Sequence, residues 1–214
     1  VPRVDKIVGP GNAWVTAAKD LVAFEGLCAI DMHAGPSEIC VWSNLGPAGW
    51  IAADLRAQAE HDPDARGIFV TSVPSLAQEV RRLAGPTRQF AYVVTRSRAA
   101  AISEICRLAP EHLVCDSTRD ADACRAFSGT AFVGRWSAQA AGDYCTGSNH
   151  VLPTGRAARF RGGLGAADFV RTVTVLRITR LGLRRIGRPA MTLARAEGLS
   201  AHAESIRIRL EKRR

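Results

Sequence analysis

The sequence predicts an α/β protein: a mainly parallel, Rossmann-like sheet covered by helices, with a small helical tail domain after it. Three observations predict it. Short apolar strands alternate with helical patterns from Val4 to Val133, the alternation that builds parallel sheets. Glycine, proline and acidic clusters such as Gly9-Pro10-Gly11 and Asp62-Pro63-Asp64 punctuate the alternation as turns. A Gly-, Ser-, Thr- and Pro-rich stretch from Gly142 to Gly165 then ends it, and the chain beyond reads as helix.

Val4 to Val8 reads as a strand running into Gly9-Pro10-Gly11-Asn12, followed by a helix from Ala13 to Val22. Free amides behind such a turn can hold an anion, but the third glycine of a dinucleotide fingerprint is missing, so a plain turn is an equal reading. A first strand at residue 4 has no earlier strand beside it, and further strands are expected from elsewhere. Asp31 to Ser37 is a loop leading to the strand Glu38 to Trp42 and a helix from Pro47 to Gln58. Strand Gly67 to Thr71, helix Pro74 to Leu83, strand Gln89 to Thr95 and helix Ala99 to Leu108 follow. Short strands at Leu113 to Cys115 and Thr130 to Val133 flank a helix from Asp120 to Phe127, whose acidic opening suits the helix dipole. Ala166 to Val175 and Pro189 to Ala203 are helical patterns, the second interrupted by Gly198. The division expected is 1–36 as part of a nucleotide-binding domain, 37–155 as a catalytic domain, and 156–214 as a helical tail.

With 214 residues and 47 % apolar composition the chain can bury a core for one large or two small domains. No apolar run approaches the ~20 residues of a membrane span, and the start lacks a signal-peptide layout. The six cysteines contain no Cys-x-x-Cys pair and suit reduced thiols, so a cytoplasmic protein is expected. The net charge of +9 belongs to the tail: residues 156–214 carry 15 Lys or Arg against 4 Asp or Glu, and residues 1–155 carry 14 against 16. Only Phe160 and Phe169 interleave that basic stretch, so neither a nucleic-acid nor a membrane partner is expected. Arginine outnumbers lysine 26 to 3, which fits a solvated face, or one that meets an anionic substrate or a partner subunit.

Four constellations could carry chemistry. Gln58 and His61 stand three apart at a helix end, an amide oxygen and an imidazole on one face; they serve either as half of a metal site or as an ordinary solvated helix terminus. Glu111 and His112 lie side by side before a strand, at what reads as the carboxyl-side edge of the sheet, as two proton-transfer groups or as a polar turn. Asp143 and His150 sit in the long loop, where Asp143 could complete a metal shell, and Glu197 and His202 lie five apart in the tail. A site of Gln, His, Asp and His suits zinc.

Six stretches carry a resemblance: Val4 to Ala13, Ala34 to Glu38, Gln58 to Asp64, Pro110 to Leu113, Gly142 to Tyr144 with Asn149 to Thr154, and Glu197 to His202. Their order and content resemble the motif series of the histidinol dehydrogenase family, in the C-terminal half of its chain. The resemblance implies an NAD-dependent, zinc-containing enzyme that oxidises L-histidinol to L-histidine through bound histidinal, the last steps of histidine biosynthesis. It implies zinc on Gln58, His61, Asp143 and His202, and an acid/base pair in Glu111 and His112, with His112 taking the alcohol proton and Glu111 activating water. It implies substrate contacts from Ser37, Gln58, His61, His112, Asp143, Glu197 and His202, and an NAD contact from Asn12. A homodimer follows, with Glu197 and His202 reaching the partner's site.

The chain departs from the family pattern in three ways. It corresponds to about half of the family's enzyme, which leaves the NAD site incomplete. The region from Leu83 to Arg88 is shorter by roughly a dozen residues. The segment Arg159-Phe160-Arg161-Gly162-Gly163-Leu164 reads more like relatives that oxidise other polar alcohols, such as sulfopropanediol dehydrogenases. Such a paralogous activity, or an inactive fragment, is the alternative.

Overall fold

The structure, a computed structural model, describes residues 2–33 and 35–211; Ala34, within the Ala34 to Glu38 motif, lies outside them. It comprises two compact units, Val1–Val170 and Arg171–Arg214.

The first unit opens with β1 (Lys6–Ile7), α1 (Ala13–Phe24) and β2 (Ala29–Ile30), the two strands pairing in parallel. The strand expected over Val4 to Val8 is only two residues long, and β2 was not expected at all, because two residues carry no alternation to read. An electrostatic clamp holds this piece. Buried Lys19 donates to the buried carboxylate of Asp31 and, at 2.9 Å, to the carbonyl of Gly9, whose N–H donates to the other Asp31 oxygen at 2.7 Å. Burial alone raises the Asp31 pKa, but Lys19 and the amides of Gly9 and Met32 outweigh it and hold the carboxyl below its ordinary range. The Gly9 to Gly11 turn is thereby pinned. Gly9 sits at φ 127°, and a Cβ on Gly11 would collide with Val15.

Five further strands form the main sheet: β3 (Glu38–Trp42), β4 (Arg66–Thr71), β5 (Phe90–Val94), β6 (His112–Cys115) and β7 (Thr130–Val133). All pairings are parallel, in the order β5-β4-β3-β6-β7, with α2 (Ala48–Ala59), α3 (Pro74–Ala84), α4 (Arg98–Leu108) and α5 (Thr118–Cys124) in the crossovers. The order reverses between β3 and β6, so the sheet is doubly wound. Side-chain alternation divides its core. Ile39, Val41 and Phe69 pack with Ile51, Leu55 and Val80 of α2 and α3. Cys40, Trp42, Ile68 and Val70 pack on the other face with Ala101, Ile105 and Cys124 of α4 and α5. Covered on both faces, the strands read as continuous apolar runs, which is why the sequence shows them clearly.

The second unit is a helical hairpin of α6 (Arg180–Ala196) and α7 (Ser200–Leu210), turned at Gly198 with φ 75°. A Cβ on Gly187 would stand 2.8 Å from Leu210 Cδ1, so this glycine admits close approach of the two helices. Two expectations fail around this hairpin. The stretch expected to be helical from Ala166 to Val175 is a 3₁₀ turn over Ala166–Phe169 followed by irregular chain. Its Val170, Thr172, Val173, Thr174 and Val175 are β-branched residues that lose side-chain freedom in a helix. Pro189 does not open its helix but lies inside α6. The helix runs through it because Leu183, Gly187, Ala190, Met191 and Ala194 make a continuous half-buried to buried stripe, while Pro189 lies on the exposed side. Among the described residues no helix is long and apolar enough to cross a membrane. All six cysteines are free thiols.

Candidate active site

Helix α4 ends at Ala109, which takes the left-handed conformation at φ 47° although it carries a Cβ, is fully buried, and donates its N–H to the Ile105 carbonyl at 2.8 Å. Such a residue costs on the order of 1 kcal/mol, and it turns the chain through Pro110 so that Glu111 and His112 enter β6. These two residues stand at the amino end of β6, next to the amino end of β3, where His112 is in register with Ile39. The expectation of a carboxyl-side position is corrected here. A residue that follows a crossover helix and starts a parallel strand necessarily lies at the amino edge.

Both side chains are almost wholly buried, Glu111 at 5 % and His112 at 2 % exposure. Burial is the main cause that pushes Glu111 up to about 8, helped by the carboxylates of Glu38 and Asp143, against the Glu38 N–H that donates to its Oε2 at 2.9 Å and a bond from Ser37. Burial likewise pulls His112 down to about 4. Glu111 Oε2 and His112 Nδ1 are 3.6 Å apart, yet each group favours its neutral form at pH 7, so this contact is not an ion pair. His112 Nδ1 lies 3.3 Å from the carbonyl oxygen of Glu38. With the proton on Nδ1 donating to that carbonyl, Nε2 is left as the acceptor. Phe132 of β7 packs beside the imidazole, with ring centroids 5.9 Å apart.

The pair borders a cavity of about 320 Å3 that Ser37, His61, Asp143 and His150 also line, with Gly9 and Gly11 of the clamped turn forming another wall. His61 Nε2 and Asp143 Oδ2 approach to 3.7 Å. Two donors at ordinary zinc distances around a tetrahedral ion lie roughly 3.4 Å apart, so the two atoms are spaced to share one cation. Gln58, one helical turn before His61, is fully buried, and among the described residues neither its amide oxygen nor its amide nitrogen has a hydrogen-bond partner. An orphaned buried amide carries a desolvation cost that a metal on its oxygen would offset. Gln58, His61 and Asp143 therefore fit a zinc ion by donor type, and His61 and Asp143 by spacing as well. Among the described residues no three His, Cys, Asp or Glu side chains form a metal cluster by themselves.

Ser37, His61, Glu111, His112 and Asp143 thus converge. Asn12 has a structural duty: its Oδ1 caps α1, accepting from the N–H groups of Trp14 and Val15 at 3.1 Å, and its amide nitrogen is left for other partners. Glu197 is the C-cap of α6 and His202 lies in the first turn of α7, both exposed and both in the second unit. Reasoning from sequence missed Glu38, whose backbone N–H and C=O hold both members of the pair, and Gln139, buried with an unpartnered amide nitrogen in the turn that delivers Asp143. Backbone contacts leave no signal in residue types. A glutamine four residues before Asp143 was visible but had no partner in the sequence to give it meaning.

A doubly wound sheet with a buried Glu-His pair at its amino edge, on a cavity that His61 and Asp143 also line, defines an α/β protein with neighbouring titratable groups gathered at one end of its sheet. The histidinol dehydrogenase family model matches residues 1–210, and the chain belongs to that family. It is 44 % identical to the histidinol dehydrogenase of Aromatoleum aromaticum over 232 aligned positions, covering 100 % of this chain and 52 % of the relative. It is 45 % identical to that of Cereibacter sphaeroides, covering 98 % and 52 %. The crystal structure of histidinol dehydrogenase from Elizabethkingia anophelis superposes with a TM-score of 0.86 at 33 % identity, over 98 % of this chain and 52 % of that one. The chain spans about half the length of the relatives it matches.

Proposed function

We propose that this chain forms the proton-transfer and zinc-holding part of an NAD-dependent dehydrogenase that converts L-histidinol to L-histidine through bound histidinal. The observation that carries this reading is the buried Glu111 and His112 pair beside the His61 and Asp143 donors. Gln58, His61 and Asp143 would hold the zinc, with His202 as the fourth donor that the family resemblance implies. When bound, zinc supplies a fixed point for the substrate's amine and imidazole, and NAD accepts one hydride in each oxidation.

The rest falls to this chain's own groups. A neutral imidazole with Nδ1 anchored on the Glu38 carbonyl takes the hydroxyl proton at Nε2 while the carbon loses hydride. In the second half His112 first releases its proton to solvent and water adds to the aldehyde; Glu111, in the ionised form that grows as pH approaches 8, accepts the water proton, and His112 takes the remaining hydroxyl proton as the second hydride leaves. Ser37, which hydrogen-bonds Glu111, lies at the substrate's edge. The cofactor side is supported by the bare backbone of Gly9, where an added Cβ would meet no protein atom within 4 Å, and by the free amide nitrogen of Asn12. Homodimerisation, with Glu197 and His202 reaching the partner's site, is part of the proposal.

The alternative alcohol dehydrogenase drew on Arg159 to Leu164. In the structure Arg159 donates to the Cys106 carbonyl at 2.6 Å and packs over Phe127, and Arg161 pairs with Asp168 at 3.2 Å. These arginines do not line the cavity, so they give the alternative substrate no support. Supplying the full-length protein with L-histidinol and NAD tests the proposal: two NADH per histidinol are expected. NADH from a sulfonated propanediol and none from histidinol would transfer the chain to the paralogous activity.

A further inference from the structure

The chemistry above uses the amino edge of the sheet and leaves the carboxyl edge unassigned. There the loops after β3, β4, β5 and β6 surround a cavity of about 360 Å3, lined by Asn44, Ser72, Arg96, Arg98, Ser117 and Arg119 among others. That volume falls within the roughly 300–1,000 Å3 of small-molecule pockets. Its position is the one at which doubly wound sheets open a crevice, because neighbouring loops diverge where strand order reverses. At about 3.3 Å per residue, the length of β3 sets it roughly 15 Å from Glu111 and His112.

The lining is cationic, and part of it is already ordered. Arg98 donates from Nε to Asp120 Oδ1 and from Nη2 to the Arg119 carbonyl, both at 2.9 Å, and its guanidinium lies 5.7 Å from the Trp42 ring centre. The other Asp120 oxygen accepts from Ser117 Oγ at 2.6 Å, so both oxygens of the carboxylate lining the cavity are engaged. Arg96 and Arg119 have no carboxylate partner among the described residues. The amide oxygen of Asn44 accepts from Ser72 N–H at 2.7 Å, Ser72 Oγ at 2.9 Å and Thr71 Oγ1 at 3.0 Å, which leaves its NH2 group as a donor. The crevice therefore offers two uncommitted guanidinium groups, a third held rigid, and an amide donor, with no uncommitted acceptor charge.

We infer that this crevice is a binding site for a phosphate group, either free or carried on a small molecule such as a nucleoside monophosphate. Arginine forks match phosphate oxygens in pairs, and the concave wall holds three of them around one volume. The site is independent of the dehydrogenase reaction.

Calorimetric titration of the full-length protein with inorganic phosphate, adenosine monophosphate and adenosine tests it. Saturable binding of the phosphate-bearing probes is expected, with none by adenosine, and affinity should fall as sodium chloride rises. Equal affinity for phosphate and the monophosphate would identify free phosphate as the ligand; tighter monophosphate binding would identify a phosphate ester. The double variant Arg96→Ser with Arg119→Ser, at exposed positions, should bind at least about tenfold more weakly while NADH production from histidinol is unchanged. No saturable binding of either phosphate probe, adenosine binding as tightly as its monophosphate, or unaltered affinity in the double variant would overturn the inference.

Discussion

Replacing Glu111 by Gln should stabilise the fold near neutral pH while abolishing turnover. Burial lifts this carboxyl from 4.5 to about 8, so at pH 7 the folded chain keeps a proton that the unfolded chain has lost. The stability associated with that proton is fully present below the unfolded pKa of 4.5 and disappears as pH rises towards about 8. At 1.36 kcal/mol per pKa unit, the 2.5 units between 4.5 and pH 7 amount to about 3 kcal/mol of stability that the wild type lacks at pH 7 and has at low pH. Gln keeps an oxygen to accept the Glu38 N–H bond and has nothing to titrate. Urea unfolding of metal-free protein, followed by tryptophan fluorescence, should show a higher midpoint for Glu111→Gln at pH 7 and nearly coincident midpoints at pH 4.5. His112 is present in both proteins, so its own titration cancels in the comparison. Equal midpoints at pH 7, or a gain that persists at pH 4.5, would refute the reasoning.

Three further outcomes are expected. His61→Ala should remove zinc and activity from the full-length enzyme with little change in circular dichroism, and full metal occupancy by elemental analysis would overturn its place in the donor set. Gln58→Leu removes two unpartnered buried polar atoms and should raise metal-free stability by about 2 kcal/mol in chemical unfolding while ending zinc uptake; an unchanged or lower stability would show that the amide is satisfied in solution. Lys19→Met leaves Asp31 buried without its counter-ion and should cost about 3 kcal/mol or more, part of it recovered by adding Asp31→Asn; no recovery in the double variant would show that the lysine matters for packing and not for charge.

Much of the architecture was legible in the residues themselves. Strands such as Glu38–Trp42 and helices such as Pro74–Ala84 follow from apolar runs and periodic faces, because a sheet covered on both sides demands unbroken hydrophobicity along each strand. Elements governed by something other than pattern were not legible: β2 is too short to alternate, and α6 runs through Pro189 on the strength of the stripe it turns to its partner helix. The same division holds at the site. Residue types and motif order singled out Gln58, His61, Glu111, His112 and Asp143, since imidazoles, carboxylates and a glutamine in loops and at helix ends are the groups that chemistry needs. Tertiary structure decided that Glu111 and His112 lie at the amino edge of the sheet, that the Glu38 backbone holds both, and that burial pushes each towards its neutral form. The physical reason is that a pKa and a hydrogen-bond partner depend on what surrounds a group in space. Residues 38, 61, 111 and 143 meet only when the crossovers return the chain to the same edge of the sheet.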